Sequence, residues 1–389
     1  MQKIKDTIHY SASDIVNFLE CEHLTALDLI NLETPLPQAE NDEETLLYQQ
    51  KGIAHEGAYV DHLRNSVSCL VDVSGYGDDL DAAVVATQEA MRAGADIIYQ
   101  AALREGSFIG HADFLRRVAI PSHLGNFSYE VIDTKLARSA RAAYLIQLCF
   151  YSELVAHIQG RDPLMMHIVL GDLREVSFRH ADYSRYYGFL KQRFIARVHA
   201  SASGTYPDPC DHCDYCRWRN LCEDRRLRDD HLSQVANITR PQIRKLNEHG
   251  VATLESLARF PENEHVPKIV PETLEKLRHQ AALQLRKRET GTDCFDLLPP
   301  DPDEKRGFFR LPKPDAGDIF FDMEGNPLAE DGLEYLFGVL TFKGKKPSFQ
   351  SYWAHDRQEE RQAFEEFMDF VAGHLRKHLH AHIYHYAHY

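Results

Sequence analysis

One set of residues in this chain has the types and order that phosphodiester chemistry needs. Asp113 stands in the run GHADF, and Asp133-Thr134-Lys135 closes the run YEVIDTK. If each run is a strand, side chains alternate with period two, so Asp133 and Lys135 project from the same side. Two carboxylates on neighbouring strands can then share a divalent cation through oxygen ligands, a set suited to Mg²⁺ or Mn²⁺. A lysine beside them orients a water, or helps to deprotonate it, for attack on phosphorus. His55, in GIAHEG, lies upstream on an expected helix and could add a nitrogen ligand. Gln147 and Tyr151 are four apart on the helix expected after the D-x-K strand, so their polar heads share one face. A D-x-K alone is common on strands; the ordered set is the signal.

A second set is sulfur. The chain has 8 cysteines, and Cys210, Cys213, Cys216 and Cys222 crowd into the segment PDPCDHCDYCRWRNLC. The N-terminus, MQKIKDTIHYSASD, has no apolar export signal, so a disulfide framework is not expected and the group points to metal. Two arrangements compete. The four local cysteines could hold one tetrahedral Zn²⁺. Alternatively, three of them could join the distant Cys21 around a [4Fe–4S] cluster. Cys69, Cys149 and Cys294 are expected to be ordinary core or buried thiols.

Taken in chain order, His55, Gly110-x-x-Asp113, Asp133-x-Lys135 and Gln147-x-x-x-Tyr151 resemble the RecB-like branch of the PD-(D/E)XK nucleases. The resemblance implies metal ligation by His55, Asp113 and Asp133, with the Thr134 carbonyl as a further ligand. It also implies a catalytic Lys135, with Gln147 and Tyr151 supporting the site. Relatives of the AddB type and the CRISPR-associated adaptation exonucleases carry one cysteine before the nuclease core and C-x2-C-x5-C after it. Cys21 in FLECEHLTALD and Cys213-x2-Cys216-x5-Cys222 match that pattern. The resemblance therefore implies a structural [4Fe–4S] cluster on Cys21, Cys213, Cys216 and Cys222, with Zn²⁺ as the alternative. Cys210 is surplus to it, which leaves the choice of ligands open.

The elements that must position these residues read as α/β. Helices are expected over 11–31, 42–65 and 82–94, strands over IIYQAALREGSFIGHADFLRRV and SYEVIDTKLA, then a long helix through SARAAYLIQLCFYSELVAHI. A strand MMHIVLGD and a helix over 182–198 lead into the cysteines. Residues 1–228 are expected to form the nuclease domain, a restriction-endonuclease-like core with helical additions. Residues 229–290 read as a small helix-hairpin-helix-like α region in which Gly250 turns the chain and offers backbone N–H groups to a phosphate. Residues 291–316 form a proline-rich linker. Residues 317–389 resemble the start of an RNase H-like (DnaQ-like) exonuclease domain, of the kind found joined to RecB-like domains. There Asp322 and Glu324, at the end of the first strand, form a candidate second Mg²⁺ or Mn²⁺ site. Because the chain stops at Tyr389, this domain is expected to be incomplete and without independent activity.

Composition sets the outer bounds. The 389 residues are 43% hydrophobic and 26% charged, ordinary for a water-soluble protein. No stretch reaches the roughly 18 consecutive apolar residues of a membrane span, so a cytoplasmic protein without membrane contact is expected. The formal charge of −15 argues against a protein that merely coats phosphate backbones, which usually carries net positive charge. It suits a nuclease whose carboxylates gather around metal while a basic groove, drawn from arginines between Arg179 and Arg288, holds the strand. The expectation is a Mg²⁺- or Mn²⁺-dependent deoxyribonuclease of DNA repair or recombination. It would act on single-stranded DNA or ends, with a helicase as a further partner. The alternatives are a non-cleaving DNA-binding scaffold and a zinc-ribbon interaction protein.

Overall fold

The computed structural model describes residues 1–4, 6–40, 43–77, 79–200, 204–297, 307–327, 329 and 332–386. A short hairpin of β1 (Gln2–Ile4) and β2 (Thr7–His9) precedes α1 (Ala12–Glu20), α2 (Glu22–Glu33) and α3 (Glu43–Arg64). Asp14 starts α1 by accepting the Ser11 N–H at 2.7 Å and the Ser11 hydroxyl at 2.9 Å, which satisfies donors a helix start leaves open. Then follow β3 (Leu70–Asp72), α4 (Leu80–Ala93), β4 (Ile97–Glu105), β5 (Phe108–Val118) and β6 (Ser128–Thr134). After them come α5 (Ala142–Gln159), β7 (Met165–Val169), β8 (Glu175–Arg179) and α6 (His180–His199).

These strands make one six-stranded sheet in the order β3-β4-β5-β6-β7-β8. The β3/β4 and β6/β7 pairs are parallel and the others antiparallel. Each parallel step needs a crossover, and α4 and α5 supply the two. Residues 128–133 of β6 are all buried, as in a central strand covered on both faces. On one face Val131 and Ile168 join Ile15, Met91, Phe150 and Phe194 in the main core. On the other, Ile132 and Phe114 pack against Tyr59, Val60 and Leu63 of α3. The expected helices and strands of this region are present; β3, β8 and the opening hairpin, short or amphipathic, were not anticipated.

Pairing is interrupted once between two neighbouring strands. The β4/β5 ladder runs from Tyr99↔Phe114 to Ala101↔Ala112 and skips one residue of each strand. The skipped residues are Asp113 and Gln100, and Gln100 has φ +52°, a left-handed conformation unusual for a side-chain-bearing residue. Such strain persists where surrounding structure over-determines it, and it concentrates at functional sites.

Beyond α7 (Arg219–Arg228) the chain forms α8 (Arg240–Glu248), α9 (Leu254–Ala258) and α10 (Pro271–Thr290). Their apolar faces close a small core of their own around Leu246, Leu254, Leu257 and Leu277. The chain divides into two compact units, Met1–Phe295 and Asp296–Tyr389. The second unit holds β9 (Ile319–Asn326), β10 (Leu333–Lys343), β11 (Lys346–Trp353), α11 (Arg357–Lys377) and β12 (Ile383–His385). Its sheet order is β11-β10-β9-β12, with β12 parallel to β9 and the rest antiparallel. Phe367 and Val371 of α11 pack on Ile319, Phe337 and Val339.

Cys149 is buried as expected, but Cys69 is exposed and Cys294 half-exposed. Cys69 precedes β3 at the sheet edge, and Cys294 follows α10 in an unpacked stretch, so neither has a core to enter. No helix among the described residues is long and apolar enough to cross a membrane.

An ionic network, buried at His167 and Glu130 and open to solvent at Glu175, pins the far edge of the large sheet. His167 on β7 places Nε2 3.0 Å from Glu130 Oε2 and Nδ1 3.0 Å from Glu175 Oε1, while Arg116 also grips Glu175 at 2.9 Å. Burial alone would lower the His167 imidazolium, but its hydrogen bonds to Glu130 and Glu175 outweigh that and raise it above the usual value. The same His167 contact, with Arg116, draws Glu175 down to about 2. The raised histidine stabilises fully below its unfolded value, about 6.5, and that contribution is lost as pH rises through the folded value. The depressed Glu175 stabilises above its unfolded value, about 4.3, and loses effect only as acid approaches pH 2. The urea midpoint of the first unit is therefore expected to fall between pH 6 and pH 9. His167→Gln should start lower at pH 6 and lose most of that slope.

Candidate active site and thiol cavity

Asp133 is the centre of the first site. It sits at the end of β6, wholly enclosed, with Gln147 of α5 donating from Nε2 to its Oδ1 at 3.1 Å. Lys135 Nζ forms an ion pair with the buried Asp133 Oδ2 at 2.6 Å. Burial first, and then the charge of Asp113, push Asp133 up to about 7. Burial would lower Lys135, but Asp133 and Asp113 outweigh it and hold the ammonium above its usual range. The lysine is therefore the protonated partner, placed to steady negative charge and not to take up a proton.

Asp113 reaches the same place from β5. Its Oδ2 accepts the Thr134 N–H at 2.8 Å and the Thr134 hydroxyl at 3.0 Å, which replaces a ladder bond where the β5/β6 pairing stops. Across β4 the strained Gln100 turns its amide to Glu56 of α3, Nε2 to Oε1 at 2.6 Å. Burial first, and then the charge of Asp113, raise the Glu56 carboxyl, with Lys135 acting the other way. Glu56 thus shares the field of the carboxylate–lysine group. The only signal for it in the sequence was its place beside His55.

His55 is buried in α3, and its Nε2 has no hydrogen-bond partner among the described residues. Tyr151 lies one turn after Gln147 and stands against Gly110, where a Cβ would come 2.9 Å from its ring. Its hydroxyl is held above the usual range by burial and by the two aspartates. Among the described residues, no three His, Cys, Asp or Glu side chains stand ready-made around an ion. In this site Lys135 closes on Asp133, and Thr134 engages Asp113. The donor types nevertheless suit a hard divalent cation: Asp133 and Asp113 supply two carboxylates, and among the described residues the buried His55 Nε2 has no hydrogen-bond partner.

The backbone that carries Lys135 hangs on the end of β7. Lys135 N–H donates to the Val169 carbonyl at 2.8 Å, and Gly171 N–H to that of Ala137 at 3.2 Å. A Cβ on Gly171 would lie 2.4 Å from the Leu136 carbonyl oxygen, which is backbone and cannot swing aside. Gly171→Ala is therefore expected to shift the lysine and lower cleavage by about 10²-fold. Its stability cost, read by thermal unfolding, should be about 1–3 kcal/mol.

The sulfurs form a second site. Cys21, at the joint of α1 and α2, shares one cavity with Cys210, Cys213, Cys216 and Cys222, walled by Leu24, Pro207 and Trp218. Cys216 and Cys222 are buried, and the other three are partly exposed. Burial first, then Cys216, push Cys222 up to about 12, and Cys21 and Cys213 add to it. Cys216 is raised by burial and also senses Cys21 and Cys213. Four thiolates are the donor set of Zn²⁺ or of an iron–sulfur group, although among the described residues no three of these sulfurs stand ready-made around an ion. A buried carboxylate holds the two ends of the cavity in register. Asp28 of α2 accepts from Trp218 Nε1 at 2.8 Å and from Arg217 at 2.7 and 3.2 Å.

Other singled-out residues lie elsewhere. Gly250 has φ +83° and turns the chain after α8. Its N–H bonds the Asn247 carbonyl at 3.0 Å, and the Val251 N–H bonds that of Leu246 at 2.9 Å, so both close the helix end. Several arginines after the cysteines are likewise engaged within the fold: Arg219 with the Glu40 carbonyl, Arg226 with that of Pro207 and Arg240 with that of Pro209. In the second unit Asp322 and Glu324 line one cavity with Phe320, Phe349, Tyr384 and His385.

Residues 319–389 match the RNase_H_2 family model of the RNase H superfamily. No curated protein matches the chain. The second unit is thus an RNase H-like α/β region, joined to a first unit built on a mixed six-stranded sheet.

Proposed function

We propose that residues 1–228, within the first unit, form a divalent-metal-dependent nuclease domain of the RecB-like PD-(D/E)XK type. It would hydrolyse phosphodiester bonds in DNA, preferentially in single strands or at ends, during repair or recombination in the cytoplasm. The observation that carries this reading is the convergence of Asp113, the enclosed Asp133, Lys135 and Gln147 at one point of the sheet. The RNase H-like match of residues 319–389 supports nucleic-acid hydrolysis as the general chemistry of the chain.

In this reading His55, Asp113 and Asp133 hold Mg²⁺ or Mn²⁺, with the Thr134 carbonyl as a further ligand. Bound there, such an ion supplies an activated water and offsets charge on the phosphoryl oxygens. The residues do the positioning. Gln147 fixes one oxygen of Asp133, and Thr134 fixes one oxygen of Asp113. Lys135, held protonated, would steady negative charge as it develops on the phosphoryl group. Tyr151 walls the site beside Gly110. The thiols of Cys21, Cys213, Cys216 and Cys222 hold a [4Fe–4S] cluster, or Zn²⁺ in its place, that ties the two ends of the 1–228 domain together. Asp322 and Glu324 would offer a second Mg²⁺ or Mn²⁺ pair, and a helicase is the partner that would supply the strand.

The test is end-labelled single-stranded DNA incubated with anaerobically purified protein and Mn²⁺. Shortening of the label that stops with chelator, and that Asp133→Asn abolishes, is the expected result. Intact DNA after incubation with folded, metal-loaded protein would replace this reading with a non-cleaving DNA-binding scaffold.

A further inference from the structure

The thiol cavity holds five sulfurs, one more than a four-thiolate centre takes. The fifth has a defined place. Cys210 Sγ stands 3.8 Å from Cys213 Sγ, and the Cys210 N–H donates to Cys213 Sγ at 3.3 Å. The Cys213 N–H returns to the Cys210 carbonyl at 2.8 Å, so the C-x-x-C turn is closed from both sides. Both cysteines are partly exposed, whereas Cys216 and Cys222 are buried and out of reach of a small oxidant. A disulfide needs the two sulfurs about 2.05 Å apart, and the remaining gap is of the size that side-chain rotation covers.

We propose that Cys210 and Cys213 form a reversible thiol–disulfide pair, oxidised by a small disulfide such as oxidised glutathione, and that oxidation withdraws Cys213 from the thiolate centre. The withdrawal rests on Cys213 being a ligand of that centre; the pair itself does not. The sulfur of Cys213 attacks one sulfur of glutathione disulfide, forming a mixed disulfide and expelling one glutathione thiolate. The sulfur of Cys210 then attacks Cys213 Sγ, closing the internal bond and expelling the second. The two thiol protons leave with the two glutathiones. The pair loses two electrons, and glutathione disulfide gains them.

The test uses the full chain, purified without oxygen and then exposed to oxidised glutathione. Free thiols are alkylated, and the peptide from Val198 to Arg217 is sequenced by tandem mass spectrometry. The expected product joins Cys210 to Cys213, leaves Cys216 alkylated, and reverts with dithiothreitol. In Cys210→Ser the glutathione adduct should remain on Cys213. Alkylation of both Cys210 and Cys213 in the parent, or a bond from Cys210 to a different cysteine, would overturn the pair. A second readout follows metal content during oxidation, with the parent expected to lose metal several-fold faster than Cys210→Ser. Equal rates, or protein that carries no metal at the start, would overturn the withdrawal, while the peptide result still decides the pair.

Discussion

Lys135→Ala is expected to lower strand cleavage by about 10³-fold, the scale at which a preorganised charge stabiliser is lost, while the protein remains folded. Stranding a buried charge ordinarily costs about 3–5 kcal/mol, which would threaten the fold. Asp133 escapes that penalty because its carboxyl already sits near pH 7 with the lysine in place. Without the lysine it rises further and takes up a proton at neutral pH, so the charge disappears instead of being stranded. The same event removes the carboxylate that would hold a divalent cation. The variant should therefore bind Mn²⁺ more weakly as well as cleave more slowly, and raising the pH should restore part of the binding but little of the rate. Lys135→Arg keeps a cation but not its shape, so it should recover binding better than turnover. Single-turnover cleavage and Mn²⁺ titration across pH 6–9 measure both. A Lys135→Ala protein that cleaves at the parental rate would remove the lysine from the chemistry.

Asp28→Ala should produce the other large effect, on stability and on the thiol cavity together. Asp28 lies within α2, just after Cys21, and takes three hydrogen bonds from Arg217 and Trp218, which lie between Cys216 and Cys222. The Trp218 ring is fully enclosed, so its indole N–H would have neither carboxylate nor water. An unsatisfied buried donor costs about 1–3 kcal/mol, and the loss of the Arg217 pair adds to it. The expected destabilisation is about 3 kcal/mol by thermal or urea unfolding, with metal content falling in the same preparations. Asp28→Asn, which keeps an acceptor for the indole, should lose about half as much. If Asp28→Ala lowers stability but leaves metal content intact, the clasp does not set the spacing of the sulfurs.

The two sites were legible in the sequence to different depths. Asp113, Asp133, Lys135, Gln147 and Tyr151 could be singled out because their spacings imply faces, and a strand or helix of known period places each on a side. Glu56 could not, because its relation to Asp113 passes through α3 packing on the sheet and through the left-handed turn at Gln100. The break in the β4/β5 ladder at Asp113 was equally invisible, since a period-two reading assumes a regular strand. Asp28 gave no sign of its role, as its partners lie 189 and 190 residues away. The protonation of Lys135 likewise depends on burial and on two facing carboxylates, neither of which a D-x-K pattern contains.

By itself the sequence determined which side chains are chemically available, the local elements that carry them and the grouping of four cysteines between residues 210 and 222. Those properties are short-range: they depend on residue type, on helix and strand periods, and on neighbours within a few positions. The tertiary structure alone decided that β6 is central and dry, which lifts Asp133 to about 7 and turns Lys135 into its fixed counter-charge. It also decided that Cys21 meets the later cysteines across the Asp28 clasp, and that Cys210 leans on Cys213. Dielectric environment and contact between distant segments arise only when the sheet and its covering helices close, so no local pattern records them.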